Sequence, residues 1–240
     1  MKSLTTDTFF NGRIRVKQHR NGYRFSIDAV LLAFHVRPRP RDRILELGTG
    51  CGIISLLLAY RNPDISVYAI EIQEMLAEIA SLNVEENQMA DRISVICKDM
   101  KELKQNMLSG AVDWVISNPP YRRVQAGRIN PDDQRAVARH EIMITLSDVL
   151  ETARSMLRNG GRFAMIFPAE RTADIVEKMR SLHIEPKFLR MIHSGRHTEA
   201  KLILVEGMKG GRPGAKIGPP LIIYRENGSY TDEAEKMFLP

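Results

Sequence analysis

The chain alternates short apolar runs with longer segments in which apolar residues recur at helical spacing. Apolar runs rich in β-branched residues predict buried strands, and the longer period predicts helices. The predicted strands are 43–47, 66–71, 93–99, 114–118, 162–167, 188–194 and 200–207. The predicted helices are 53–60, 73–88, about 141–158 and 169–182, with Gly160 and Gly161 as the stop of the third. This order indicates βαβ units and a parallel sheet, which the last two strands close as a hairpin.

The residues before the first of these strands have a pattern of their own. The stretch RIRVKQHRNGYRFS alternates polar and apolar residues on both sides of Asn21 and Gly22, which predicts a β-hairpin that turns at this dipeptide. A helix follows in SIDAVLLAFHV, with Ser26 as a possible N-cap. At the other end, 208–220 is a Gly- and Pro-rich loop and the apolar residues of 221–240 indicate a packed tail.

A chain of 240 residues is long enough for a full core, and we expect one domain with additions. Residues 1–40 form a basic hairpin and helix in this interpretation, 41–210 the main domain and 211–240 the tail. No apolar run approaches the roughly 18–20 residues of a membrane span. The N-terminus lacks the apolar region of a signal peptide, so we expect a cytoplasmic protein.

Positive charge is concentrated at the N-terminus. Residues 1–43 hold ten Lys or Arg against three Asp, whereas the whole chain has a net charge of +6. Such a segment beside a balanced domain is typical of an edge that binds a polyanion.

Cys51 and Cys97 are too few for a disulfide framework and have no CxxC spacing, so we expect reduced thiols. Gly195 interrupts the one His pair near metal-ligand spacing, so we expect no metal.

A glycine turn follows the first predicted strand of the main domain. In LELGTGCG, Gly48, Gly50 and Gly52 would let a ligand approach the backbone at the start of a helix, and Glu46 precedes them. Glu71 ends the second strand, where a carboxylate can accept hydrogen bonds from ribose hydroxyls, and Asp99 ends the third. Because parallel strands end at a common edge, these groups are expected to lie together.

The fourth strand ends in Asn118, Pro119, Pro120 and Tyr121. Each proline fixes φ and biases the residue before it toward extended backbone, so the Asn118 carboxamide and the Pro119 carbonyl would be acceptors at set positions. With the face of Tyr121 beyond them, they would suit a planar group that carries an NH2.

The ordered set ELGTGCG, Glu71, Asp99 and NPPY resembles the class I S-adenosylmethionine-dependent methyltransferases that act on exocyclic or amide nitrogen. The resemblance implies a Rossmann-like α/β fold: a seven-stranded, mostly parallel sheet with helices on both faces, an antiparallel last strand and, here, a small N-terminal hairpin. It implies S-adenosylmethionine as cofactor. Glu46, Gly48, Gly50 and Gly52 would lie near its methionine part, Glu71 on the ribose, and Asp99 and Met100 at the adenine, with Thr49 and Ile72 as further cofactor-binding residues. Asn118 and Asp28 would also border the cofactor.

Nearly the whole chain is similar to the bacterial tRNA1(Val) adenine-N6 methyltransferase family. The matching stretches are GYRFSIDAVLLAFHV, NPPY, NPDDQRAVARHE, GGRFAMIFPAER and PLIIYRENGSYT, and the chain has Glu46 where the family often has Asp. The resemblance implies methylation of an adenine in a tRNA anticodon loop, with Asn118 and Pro119 accepting the N6 hydrogens and Tyr121 stacking on the base. RNA phosphates are expected to contact the N-terminal basic segment, which includes Arg24, and a second set of arginines after NPPY: Arg122, Arg123, Arg128, Arg135 and Arg139. We assume a monomer.

Three alternatives stay open. A protein-glutamine methyltransferase would use the same NPPY, but such enzymes usually carry a separate N-terminal helical domain, and only about 40 residues precede the first strand here. A guanine-N2 methyltransferase of ribosomal RNA is possible for the same chemical reason. A non-catalytic RNA-binding protein could keep the fold without turnover, although intact Asn118 and Tyr121 argue against it.

Overall fold

A computed structural model describes residues 4–20, 25–119 and 145–239 of the chain. The strands are β1 (Leu4–Phe9), β2 (Ile14–His19), β3 (Arg43–Leu47), β4 (Ser66–Glu71), β5 (Ile93–Cys97), β6 (Val112–Ser117), β7 (Leu157–Pro168), β8 (Ile184–His193), β9 (Ala200–Lys209), β10 (Lys216–Ile217) and β11 (Leu221–Ile222). The α-helices are α1 (Ile27–His35), α2 (Ile53–Arg61), α3 (Glu74–Glu86), α4 (Leu146–Met156), α5 (Thr172–Ser181) and α6 (Asp232–Glu235). Within these ranges, no helix has the length and apolar character needed to cross a membrane.

The central sheet has the order β10-β8-β9-β7-β6-β3-β4-β5, and β11 also pairs with β8. Only β9 runs antiparallel to its neighbours β7 and β8. The predicted Rossmann-like fold with an antiparallel last strand is therefore confirmed. The two-residue strands β10 and β11 extend the sheet beyond the seven predicted strands, so the β8–β9 hairpin does not form its last edge.

Alternate residues of the central strands enter two apolar cores on opposite faces of the sheet. One core contains side chains of α1, α2 and α3 together with Ile44 and Ile116 of neighbouring strands. The other contains side chains of α4 and α5 together with Leu45 and Val115. Because β3 and β6 are covered on both faces, most of their residues are apolar, which is why their sequences predict them well.

The N-terminal hairpin is present, but its turn lies earlier in the chain than the predicted one, and Asn21 and Gly22 lie outside the described residues. β1 pairs antiparallel with β2, and the chain reverses at residues 10–13, where Asn11 and Gly12 have φ of 56° and 83°. Residues 25 and 26, predicted to be in the second strand, are not in a strand. The N-terminal segment contains Asn-Gly twice, and the β1–β2 pairing turns at the first.

Two predicted features of the helices also differ. Ser26 occupies the N-cap position of α1, but its side chain does not bond to the helix backbone. α4 begins with a capping box formed by Thr145 and Asp148, and it ends at Met156, before the predicted end at about residue 158. The reason is that Leu157 already has extended backbone and pairs with Val112 of β6, so the two glycines lie within β7.

Candidate active site

The glycine turn lies at the carboxyl end of β3. Gly48, Gly50 and Gly52 have φ of 76°, 59° and 86°, values that favour glycine. A Cβ at Gly48 or Gly50 would meet nothing within 4 Å, whereas one at Gly52 would lie 3.4 Å from the Cβ of Ala80. The first two glycines therefore leave open space for a ligand, and the third allows the start of α2 to pack against α3.

Glu71 joins this turn to the end of β4. Its Oε2 accepts the Gly50 N–H at 2.9 Å, and its Oε1 accepts the Gln73 N–H at 3.0 Å. The residue is buried, and each oxygen keeps further capacity to accept a hydrogen bond. Glu71 thus holds the glycine turn in place and can still receive hydroxyl groups of a ligand.

Glu46 places a carboxyl group in the apolar layer beneath the turn and is only 1% exposed. Its Oε2 accepts the Thr49 hydroxyl at 2.9 Å, the Ser55 N–H at 3.1 Å and the Ser55 hydroxyl. Its Oε1 is buried without a hydrogen-bond partner. Burial raises the pKa of Glu46 to about 7, against the opposing effect of the bonds from Ser55 and Thr49. A buried acceptor without a partner, on a residue that bonds to the glycine turn, fits a ligand ammonium group.

The end of β5 contributes the third part of this edge. Glu71 pairs with Cys97, so Asp99 lies two residues beyond that pair. The Asp99 side chain accepts the Lys101 N–H at 2.9 Å and caps a short 3-10 turn that begins with buried Met100. Ile72, which follows Glu71, is partly exposed. These residues provide a carboxylate and apolar side chains where the adenine of a nucleotide would lie.

Asn118 follows β6 at the same edge. Ser117 pairs with Leu47 of β3, and its hydroxyl donates to the Leu47 carbonyl at 2.9 Å. Because paired strands lie about 4.8 Å apart, Asn118 comes next to Gly48. Asn118 is 8% exposed and Pro119 is partly exposed. The structure therefore brings the Asn-Pro end of β6 beside the glycine turn.

Asp28 belongs to the start of α1 instead. It is buried, and its Oδ1 accepts the Ser26 hydroxyl and the Ala29 N–H, the latter at 3.1 Å. These bonds order the first turn of α1, and neither reaches the glycine turn. The remaining predicted site residues lie outside the described residues: Pro120, Tyr121, Arg24, Arg122, Arg123, Arg128, Arg135 and Arg139.

The last part of the basic segment 1–43 lies away from the glycine turn. Arg37, Arg39 and Arg41 precede β3, and Arg43 begins it, so they lie at the amino ends of the parallel strands. The Arg43 guanidinium donates to the carbonyls of residues 108, 110 and 111 and supports that edge of the sheet. The physical reason is topological, because a parallel strand separates its first residue from its last by its full length.

Burial also affects the thiol of Cys51. Burial raises the pKa of the Cys51 thiol to about 12, so this side chain stays protonated and is a poor nucleophile. In the described parts of the chain, no group of three His, Cys, Asp or Glu is placed to hold a metal ion.

Sequence reasoning missed two residues that support the site. Ser55 binds the Glu46 carboxylate with both its N–H and its hydroxyl, and it is the first polar residue of an otherwise apolar helix start. Asn83 is fully buried on α3, and its Nδ2 donates to the Cys51 carbonyl of the glycine turn at 2.8 Å. A polar residue on a buried helix face is the signal that could have indicated either one.

Comparison with known proteins agrees with this geometry. The sequence model of the methyltransferase small domain family matches residues 24–183, more than half of the chain. The chain belongs to this family. The prediction of an S-adenosylmethionine-dependent methyltransferase is thereby confirmed.

Relatives and structurally similar proteins match most of the chain. A Porphyromonas gingivalis protein named tRNA1(Val) (adenine(37)-N6)-methyltransferase is 30% identical over 249 residues, covering 99% of this chain and 95% of the relative. A Pedobacter heparinus protein of the same name is 30% identical over 209 residues and covers 87% and 86%.

Among solved structures, a predicted O-methyltransferase from Agrobacterium tumefaciens has a TM-score of 0.70 at 24% identity, covering 88% of this chain and 94% of its own. The M. jannaschii tRNA m1G37 methyltransferase has a TM-score of 0.58 at 14% identity, covering 88% and 58%. At these identities, the two structures support the fold alone.

Proposed function

We propose that the protein transfers a methyl group from S-adenosylmethionine to the N6 amino group of an adenine in a tRNA anticodon loop. The observation that carries the proposal is the position of Asn118, buried at the end of β6 and next to the glycine turn. The names of relatives that match nearly the whole chain support the choice of adenine and of tRNA.

The described residues fit the cofactor at three places. The unsatisfied Oε1 of Glu46 can accept its ammonium group, and the open space at Gly48 and Gly50 admits its chain. The Glu71 carboxylate can accept ribose hydroxyls, and Asp99, Met100 and Ile72 can border the adenine. Thr49 fixes the Glu46 carboxylate, and Gly52 sets the start of α2. When bound, the cofactor supplies a methyl group on a sulfonium sulfur, which is an electrophile.

In the proposed reaction, the protein positions a weak nucleophile. The lone pair of an adenine amino group is delocalised into the ring, so the nitrogen must become pyramidal to react. Asn118 Oδ1 and the Pro119 carbonyl would accept its two N–H groups and meet the growing positive charge with fixed dipoles. No strong base is required, and Pro120 would hold the segment while Tyr121 stacks on the base.

A loop nucleotide is the favoured target because extruding a base from a duplex costs a few kcal/mol. We infer that Arg24, Arg122, Arg123, Arg128, Arg135 and Arg139 contact phosphates around the pocket. Asp28 would border the cofactor only through the first turn of α1. The cytoplasmic location and the monomeric state remain parts of the proposal.

The test uses the purified protein, radiolabelled S-adenosylmethionine and unmodified bulk tRNA, followed by digestion to nucleosides. We expect label in N6-methyladenosine. The Asn118→Ala variant should lose roughly a hundredfold or more in rate, whereas Asn159→Ala, a change at an exposed asparagine, should match the wild type. Equal thermal unfolding of the two variants would show that the fold is intact.

Other positions of the label would overturn the proposed substrate. Label in guanosine of ribosomal RNA, or in a protein glutamine, would keep the nitrogen chemistry and assign another acceptor. Cofactor binding without turnover on any RNA or protein extract would favour a binding protein.

A further inference from the structure

The free edge of β2 is paired by the side chains of Asn83 on α3 and of Asn87, the C-cap of that helix. Lys17 N–H donates to Asn83 Oδ1 at 2.8 Å, and Asn83 Nδ2 donates back to the Lys17 carbonyl at 2.9 Å. Arg15 makes the same two bonds with Asn87, at 2.9 and 2.7 Å. The hairpin is therefore fixed to the helix face of the domain through its backbone.

This attachment leaves one face of the hairpin exposed to solvent. Ile14, Val16 and Gln18 face inward and are buried, so Arg15 and Lys17 face outward. On β1, the outward residues opposite them are the exposed threonines Thr8 and Thr6. We call Thr6, Thr8, Arg13, Arg15 and Lys17 the outer hairpin face.

The outer hairpin face carries positive charge and hydroxyl groups. Asp7 is the only acidic residue in 4–20, and its carboxylate accepts a hydrogen bond from the Gln18 side chain on the inner side of the hairpin. Arg15 forms no ion pair with the described residues, whereas Lys17 pairs with Glu86 at its margin. Arg13 is exposed and donates to the Tyr60 hydroxyl at 3.1 Å. Guanidinium, ammonium and hydroxyl groups together are the usual donors to RNA phosphates.

The direction of β2 leads toward the cofactor end of the domain. α3 begins directly after β4, so moving from Arg15 at Asn87 to Lys17 at Asn83 moves toward the edge that holds Glu71. Asn83 also donates to Cys51 of the glycine turn at 2.8 Å. Lys17 is thus linked to that turn through one side chain. A polyanion on this face would continue to the catalytic edge.

We propose that the outer hairpin face binds the phosphate backbone of the substrate RNA and guides its target loop into the site. This inference rests on the proposed function. Successive outward residues of a strand are about 6.6 Å apart, so Arg15 and Lys17 of β2 present contacts at this spacing, and Arg13 lies in the turn directly before them. The row carries no base recognition and contributes affinity that depends on salt.

The test compares two double variants that remove the same charge. Arg15→Gln with Lys17→Gln changes the outer hairpin face. Arg212→Gln with Lys216→Gln is the matched control, because both residues are exposed and lie near β10 at the far edge of the sheet. Binding of an unmodified tRNA transcript is measured by fluorescence anisotropy over a range of KCl concentrations, and binding of S-adenosylmethionine by calorimetry.

We expect the hairpin variant to bind the transcript roughly tenfold more weakly at low salt. The slope of log K against log salt should fall by about 1 for each residue removed, and KM for RNA should rise with kcat less affected. The control variant should match the wild type in RNA affinity, salt slope and KM. Both double variants should bind the cofactor normally, because the bonds to Asn83 use backbone atoms of Lys17.

The outcomes distinguish a failure of the hairpin inference from a failure of the proposed function. If the wild type methylates the transcript and the two double variants bind RNA equally, the hairpin inference is wrong and the proposed function stands. If the wild type methylates no RNA, the proposed function fails and the inference fails with it. Loss of cofactor binding in the hairpin variant would show a structural effect and would also overturn the inference.

Discussion

Glu46 destabilises the folded protein at alkaline pH, and one isosteric substitution should remove this effect. The ordinary carboxyl pKa of 4.5 is raised to about 7 because the group is buried, with a smaller contribution from the charge of Glu71. Since the folded-state pKa is the higher one, the folded protein binds the proton more tightly than the unfolded chain between these values. The effect of Glu46 on the free energy of unfolding is therefore absent below pH 4.5, and the full destabilisation is reached above about pH 7.

The magnitude follows from the same two values. One pKa unit corresponds to about 1.4 kcal/mol, so the rise lowers the free energy of unfolding by about 3 kcal/mol above pH 7. Glu46→Gln reproduces the protonated carboxyl: its carbonyl can accept the Thr49 and Ser55 donors, and its amide nitrogen replaces the unsatisfied Oε1. The variant should not titrate at this position.

The assay is urea unfolding of the cofactor-free wild type and Glu46→Gln at about pH 5 and about pH 8.5. We expect stabilities within about 1 kcal/mol at the lower pH and a gain of about 3 kcal/mol for the variant at the higher pH. Glu206→Gln is the control, because burial of Glu206 is outweighed by the hydrogen bond from His35 and the charges of His35 and Arg162, and its pKa is lowered. That variant should lose stability at both pH values. A difference between Glu46→Gln and wild type that is the same at both pH values would refute the reasoning.

Three further predictions concern the supports of the site. Glu71→Gln turns an amide NH2 toward the N–H of Gly50 or Gln73, so S-adenosylmethionine should bind roughly tenfold more weakly by calorimetry; unchanged affinity would contradict the role of Glu71. Asn83→Ala leaves the backbone of Lys17 and the Cys51 carbonyl unpaired, and we expect about 3 kcal/mol less stability in urea. Asn87→Ala, at a more exposed place, should cost about 1 kcal/mol. Gly50→Ala forces a side chain into left-handed backbone, so the thermal unfolding midpoint should fall, and a rise would contradict this strain.

The sequence predicted the parts of the fold that depend on burial. β3 and β4 match their predicted limits, because most of their residues are buried and apolar, and such runs stand out in the sequence. The ends governed by pairing were predicted less well. α4 stops before Gly160 because Leu157 pairs with Val112, and no local residue signals that contact.

The hairpin turn shows the same limit more clearly. Asn11-Gly12 and Asn21-Gly22 are equivalent turn signals by composition, so local chemistry alone does not choose between them. The structure places the turn at the first, where β2 is held between β1 and two asparagines of α3. This choice depends on residues about 70 positions away along the chain, which a turn rule does not consider.

The sequence predicted which residues lie at the edge of the sheet that forms the site, but it did not predict the hydrogen bonding of Glu46 or its raised pKa. Glu46, Gly50 and Glu71 were predicted near a cofactor, and the structure shows them linked around one turn. Oε1 of Glu46 has no hydrogen-bond partner because Ser55 donates only to Oε2. This depends on side-chain geometry, which the sequence does not indicate. The assignments of Asp28 and of the arginines near the pocket stay predictions.

The asparagine pair on α3 also limits which other chains the protein can join. An unpaired strand edge is a template on which another chain can add a strand, and this is a common route to aggregation. Asn83 and Asn87 are one helical turn apart and occupy the N–H and carbonyl groups of Lys17 and Arg15, as a neighbouring strand would. That stretch of β2 therefore cannot recruit a second molecule without first losing four hydrogen bonds. Its register is fixed as well, because a shift of one residue would turn the basic side chains inward.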